Sequence, residues 1–290
     1  MKMGCCTSGL ERYMRLLEAV DEIGQRGFDF AEINTDGDID EGEQEMVERR
    51  CLKYGMFLHL HVNLNAICAE AQMRQKEFSL YFAEKFFKLN RQFNNIIRQI
   101  SFDPVYNFLT RKGILKRQMF PLWIRGITRM LEKAVKILPM RVKFGKFNRD
   151  RTTQALNTAL KISDAEICLE NLGSGTTAYG EIANILTRLE KRERFGMLID
   201  IGHLNISVKN VYEYIGNFPF RIAGFHFSNN DGRRDSHGAL NDGSVDYVEL
   251  VNVLKNINYK GTVSLEIISP SLEGCRRDIA GAFKFLKRCM

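Results

Sequence analysis

The chain has 290 residues, 44% of them apolar, which is enough for a full core and close to the length of one α/β barrel. Its net charge of +7 is unevenly spread: residues 85–149 hold 16 Lys and Arg against only Asp103 and Glu132, and the remainder is net acidic. The absence of an apolar run of roughly 18 residues argues against a membrane span. The seven scattered cysteines, with no CxxC pair, argue against a zinc ribbon or a disulfide framework and for a reduced, cytoplasmic protein. The opening MKMGCCTSG, short and soon followed by charge, does not resemble a signal peptide.

In chain order, strands are predicted at Lys2–Thr7, Phe28–Ile33, Phe57–Val62, Met140–Phe144, Ala165–Glu170, Gly196–Ile201, Ile222–Phe227 and Thr262–Ile267. Helical periodicity separates them, over Leu10–Gly27, Glu43–Tyr54, Thr152–Ser163, Ala178–Arg192, Val208–Asn217, Tyr247–Asn256 and Leu272–Arg288. Strand alternating with helix eight times predicts a parallel sheet closed into a single TIM (β/α)8 barrel over residues 1–290. One connection is too long. Between Val62 and Met140 lie two helical patterns, Cys68–Ile100 and Pro121–Leu138. The second runs into strand four and is the better candidate for the barrel's own helix. Residues 66–119 then become a basic helical insertion between strands 3 and 4, at the carboxyl-terminal rim. With the first pattern in that role instead, the insertion would hang from the opposite rim.

Three apolar runs stop on a carboxylate and a fourth on a histidine: Glu170, Asp200, His226 and Glu266, at intervals of 30, 26 and 40 residues. Unpaired charge at a buried strand end is costly, so convergence on one cation is the simplest common cause. All five histidines lie in or just after a predicted strand. Asp200 is followed by His203, and the loop after His226 carries Asp231, Arg233, Arg234, Asp235 and His237. Asp235 and His237 with His203 could hold a second cation or substrate. Arg233 and Arg234 lie where barrels often bind phosphate. His59 and His61 alternate along strand three, so they share a face, and either could be the ligand. Mixed carboxylate and imidazole donors suit zinc, manganese, cobalt or iron.

CLEN at Glu170, LIDIGH at Asp200 and His203, HFSNNDGRRDSH from His226 to His237, and SLEI at Glu266 together resemble the xylose isomerase-like barrel superfamily. That superfamily includes sugar and sugar-phosphate isomerases and epimerases, and endonuclease IV. The resemblance implies that Glu170, Asp200, His226 and Glu266 hold one divalent ion, with Glu170 and Glu266 as catalytic acid and base and His203 contacting substrate. The activity expected is isomerisation or epimerisation of a sugar or sugar phosphate through a metal-stabilised enediolate. The alternative is an endonuclease IV-like, metal-dependent AP endonuclease (family 2) acting on DNA. There, His203, Asp235 and His237 match a third zinc site, and His59 or His61 matches a strand-three ligand. The strand-four histidine of that enzyme has no counterpart in MRVKFGKFN. Expected partners are the sugar, nucleic acid or another polyanion along 85–149, and a second copy of the chain.

Overall fold

A computed structural model describes residues 1–35, 39–93, 96–105, 140–171 and 179–289. Eight parallel strands form a closed barrel in sequence order: β1 (Lys2–Cys6), β2 (Phe30–Thr35), β3 (Phe57–Val62), β4 (Ile97–Phe102), β5 (Glu166–Glu170), β6 (Phe195–Asp200), β7 (Ile222–Phe227) and β8 (Thr262–Leu265). Pairing of β8 with β1 completes the ring. The described helices are α1 (Leu16–Gln25), α2 (Glu41–Lys53), α3 (Leu64–Met73), α4 (Phe78–Phe93), α5 (Met140–Ile162), α6 (Tyr179–Leu186), α7 (Ile201–Ser207), α8 (Val211–Gly216), α9 (Tyr247–Asn256) and α10 (Leu272–Cys289).

The sequence dictates this layering locally. Parallel strands are covered on both faces and so read as unbroken apolar runs; all six residues of FGMLID in β6 are buried. The helices each bury one stripe, as α10 does with Cys275, Ile279, Ala282 and Leu286. Asp40 caps α2 by accepting from the Gly42 and Glu43 amides, and Asp246 caps α9 in the same way through Val248 and Glu249. No described helix is long and apolar enough to cross a membrane.

Beneath the mouth, large and small residues alternate around the barrel interior. A Cβ on Gly4 would lie 2.1 Å from the Phe30 ring, and one on Gly224 would lie 2.8 Å from the Leu198 side chain. Phe30 in turn stacks on His59 with ring centroids 3.9 Å apart. Gly4→Ala is therefore expected to force Phe30 off this stack and to destabilise the barrel by about 1–3 kcal/mol, measured by urea unfolding.

Strand four differs from expectation. It is Ile97–Phe102, and Met140–Phe144 belongs to α5. IRQISF resembles a polar helix end because Gln99 and Ser101 interrupt its apolar residues, yet both are buried inside the barrel. There Gln99 accepts from Thr262 Oγ1 and Ser101 meets His61. MRVKFGKFN alternates like a strand but continues into the helix whose Ala155, Leu156, Ala159 and Leu160 pack on the core. Of the insertion expected at 66–119, residues 66–93 contribute to the ordinary crossover helices α3 and α4, 97–102 form β4, and 106–119 lie outside the described residues. The extra length follows β4 instead of β3, leaving from the same carboxyl-terminal rim.

Candidate metal centre

The carboxyl-terminal ends of the strands bring Glu170, Asp200, His226 and Glu266 together. His226 Nδ1 lies 3.0 Å from Glu266 Oε2, 3.1 Å from Glu170 Oε1 and 3.9 Å from Asp200 Oδ2. One donor atom from each of the four lies within 4.8 Å of every other. Ligands at about 2.0–2.2 Å from a common ion can be collected from that spread with small adjustments.

Local structure fixes these positions. Asn171, directly after β5, accepts from the Asp200 amide at 2.6 Å and donates to the Asp200 carbonyl at 3.1 Å, which clamps the ends of β5 and β6 together. Asp200 Oδ1 caps α7 by accepting from the His203 amide. Its other oxygen, Oδ2, is buried and accepts no hydrogen bond.

Two further donor groups adjoin the first. His61 Nε2 lies 3.1 Å from Asp103 Oδ1 and 3.4 Å from Glu170 Oε2. Asp235 places its two oxygens 3.1 Å from His203 Nε2 and 3.2 Å from His237 Nε2. The ring nitrogens on the far side are also tied. His203 Nδ1 lies 3.0 Å from the Asn171 carbonyl, which can only accept, so that nitrogen carries its proton. The Ser101 hydroxyl donates to the Leu60 carbonyl, so its contact with His61 Nδ1 at 3.1 Å must be acceptance from an N–H. The remaining nitrogens of both histidines therefore point at carboxylates. Such a nitrogen is either protonated or bound to a cation. Together with the unpartnered Asp200 oxygen, this makes the donor set fit a divalent metal.

Protonation is what the metal-free geometry favours. Burial opposes charge on His226, but Glu32 and Glu266 outweigh it and hold its pKa well above the ordinary 6.5. His61 is raised against burial by Asp103 and Glu170, and His203 by Asp200 and Asp235. His237 is raised to about 9, with Asp235 overcoming burial. Burial lifts Glu170 to about 7, whereas Glu266 and Asp103 are held near 2 because His226 and His61, respectively, overcome theirs.

The linkage has a definite sign. Glu266 and Asp103 stabilise the metal-free fold above their ordinary values of 4.5 and 3.8, and lose that contribution as pH falls towards 2. Glu170 favours the folded state less as pH rises from 4.5 to 7, and the raised imidazoles of His61, His203, His226 and His237 lose theirs from 6.5 upward, His237 by about 9. His59, lowered by burial to about 4, adds stability to the fold as pH rises from 4 to 6.5 and so offsets Glu170 there. Chelator-treated protein should therefore resist thermal unfolding most between about pH 4.5 and 6.5, and less through pH 9. Added divalent metal should move that optimum upward, because ligation requires unprotonated imidazoles.

The other expected site residues are placed as follows. His61 joins the carboxylates, whereas His59 is packed against Phe30 deeper in the barrel, and burial lowers its pKa to about 4. Arg233 and Arg234 are exposed in the loop after β7, and their amides donate to Asp231. Within the basic segment, Lys85, Lys88 and Arg149 pair with Glu70, Glu41 and Glu181. All seven cysteines are free, and all but Cys289 are buried. Sequence reasoning missed two residues. Asp103 follows β4 and went unnoticed because that strand was placed elsewhere. Glu32 sits within β2, 2% exposed, with Oε1 2.8 Å from His226 Nε2. A carboxylate inside the apolar run FDFAEI was its one available signal.

Comparison with known proteins agrees with the architecture. The crystal structure of D-psicose 3-epimerase with D-tagatose from Clostridium cellulolyticum H10 superposes with a TM-score of 0.68 at 13% identity, covering 100% of this chain and 99% of that one. The IOLI protein with a binding zinc atom superposes with a TM-score of 0.67 at 15% identity, covering 100% and 98%. At these identities the likeness concerns the fold. In sequence, 125 residues are 26% identical to an uncharacterized protein of Methanocaldococcus jannaschii, a match over 40% of this chain and 43% of that protein's length. Residues 127–289 match the family model described as xylose isomerase-like TIM barrel, and the chain belongs to that family.

Proposed function

We propose that this protein is a divalent-metal-dependent isomerase or epimerase acting on a sugar or sugar phosphate. The observation that carries the reading is the approach of two carboxylates, Glu170 and Glu266, to the same histidine nitrogen at 3.1 and 3.0 Å, with Asp200 beside them. Glu170, Asp200, His226 and Glu266 would hold the ion, which when bound polarises a substrate carbonyl and offsets the negative charge left by proton removal. In the metal-free protein Glu266 is ionised while Glu170 titrates near neutrality. One of the two, Glu170 or Glu266, would remove the proton next to the carbonyl, and the other would return one. His203, held by Asn171 and Asp235, would orient substrate oxygens. Arg233 and Arg234, exposed at the rim, would meet a phosphate if the substrate carries one. The sugar 3-epimerases among the structural relatives favour a ketose with reaction at its third carbon. The free thiols suit a reducing cytoplasm.

One observation favours a second reading. Donors do not stop at four: His61, Asp103 and Glu170 form one flanking group, and His203, Asp235 and His237 another. Two or three ions held there would suit an endonuclease IV-like phosphodiesterase, with Asp103 standing at the end of β4 where that enzyme has a histidine. The cations of residues 85–149 would then face a polyanion. The readings separate in one experiment on the metal-loaded protein. Incubation with ketoses in deuterium oxide should place deuterium on the carbon next to the carbonyl, while an abasic-site oligonucleotide stays intact. Nicking of the oligonucleotide without exchange would replace the first reading by the second.

A further inference from the structure

We propose that Glu32 is a positioning residue that holds the His226 proton on Nε2 and so leaves the Nδ1 lone pair for the metal. The inference rests on the metal reading of Glu170, Asp200, His226 and Glu266, and assigns the nitrogen through which the histidine ligates. His226 is fully buried and Glu32 is 2% exposed, so water does not compete for either group. Glu32 Oε1 lies 2.8 Å from Nε2. An ionised carboxylate can only accept a hydrogen bond, so Nε2 bears the proton. A neutral imidazole has one remaining lone pair, here on Nδ1, facing Glu266, Glu170 and Asp200 at 3.0, 3.1 and 3.9 Å. A carboxylate behind a ligating histidine fixes its tautomer, orients the ring and increases its basicity.

A competing arrangement would seat the ion between Glu32, His61 and His226, whose donor atoms also lie within 4.8 Å of one another. His61 argues against it. Its nitrogen nearest Glu32, Nδ1 at 3.7 Å, is the one that must donate to Ser101. That nitrogen has no lone pair to offer. Glu32 thus accepts from His226 Nε2 at 2.8 Å, with the His61 Nδ1–H, committed to Ser101, 3.7 Å away. Its place in β2, 194 residues before His226 in sequence, lets it reach across the barrel beneath the donor cluster.

The test uses the full chain loaded with zinc alone. Long-range proton–nitrogen spectra of histidine-labelled protein should show His226 metallated at Nδ1 and protonated at Nε2. Metallation at Nε2 would overturn the proposal. Zinc affinity, measured by chelator competition, should fall about 10–100-fold in Glu32→Ala. In Glu32→Gln, whose amide oxygen can still accept, it should fall less than tenfold, with the Nε2–H tautomer retained. Equal affinity in all three proteins with an unchanged tautomer would sink the positioning role while leaving the metal centre standing. A wild-type protein that takes up no zinc at these ligands would instead remove the metal reading itself. Should Glu32→Ala fail to fold, the wild-type spectrum and the Gln variant decide.

Discussion

Glu266→Gln should lower the rate of deuterium exchange into substrate about 10²–10⁴-fold, the range lost when a general acid or base is removed. The substitution is nearly isosteric but removes a charged ligand and a partner of His226, so metal affinity and the unfolding temperature should fall as well, and exchange is compared at saturating metal. Glu170→Gln should cost a similar factor. The double variant should be little worse than either single one, because groups that act as a unit are strongly non-additive. A Glu266→Gln protein retaining more than a tenth of wild-type exchange would exclude this carboxylate as a catalytic acid or base. The same variant addresses the second reading, since a phosphodiesterase would lose nicking of abasic DNA instead.

His226→Ala should have the largest effect on the site as a whole. A four-ligand protein site binds zinc with roughly 10–16 kcal/mol, so one ligand carries about 3 kcal/mol, or about 10²-fold in affinity. Loss beyond that is expected, because the imidazole also separates Glu170, Glu266 and Glu32 in the metal-free protein. Removing one partner of a buried charge network costs about 3–5 kcal/mol. The chelator-treated variant should therefore unfold well below wild type at pH 7 and recover as acid neutralises the carboxylates, whereas wild type recovers less. Calorimetry with and without zinc at two pH values measures both effects. Unchanged zinc affinity would show that the ion sits elsewhere.

Much of this arrangement can be read in the sequence because charge at the end of an apolar strand is a strong signal. Glu170, Asp200 and Glu266 each terminate such a run, and β3, β7 and α9 occupy Phe57–Val62, Ile222–Phe227 and Tyr247–Asn256 as periodicity predicts. The same logic hides β4. Its polar residues face a polar barrel interior, where Gln99 and Ser101 bond to Thr262 and His61, so they erase the apolar run that would mark a strand. With β4 misplaced, Asp103 could not be recognised as a strand-end carboxylate. Glu32 is obscure for another reason. It lies in the middle of its strand, and its partner is identified only when β2 and β7 face each other across the closed barrel. The choice between His59 and His61 likewise depends on depth, which alternation along one strand does not encode: Phe30 covers one ring, and Asp103 and Glu170 meet the other.

Anomalous diffraction from crystals grown with manganese or zinc tests the central claim most directly. The expected result is a peak about 2.0–2.3 Å from carboxylate oxygens of Glu170, Asp200 and Glu266 and from His226 Nδ1, with Glu32 on the opposite edge of that ring. Density with no ion among these four side chains at saturating metal, their carboxylates paired only with protonated histidines, would contradict the account.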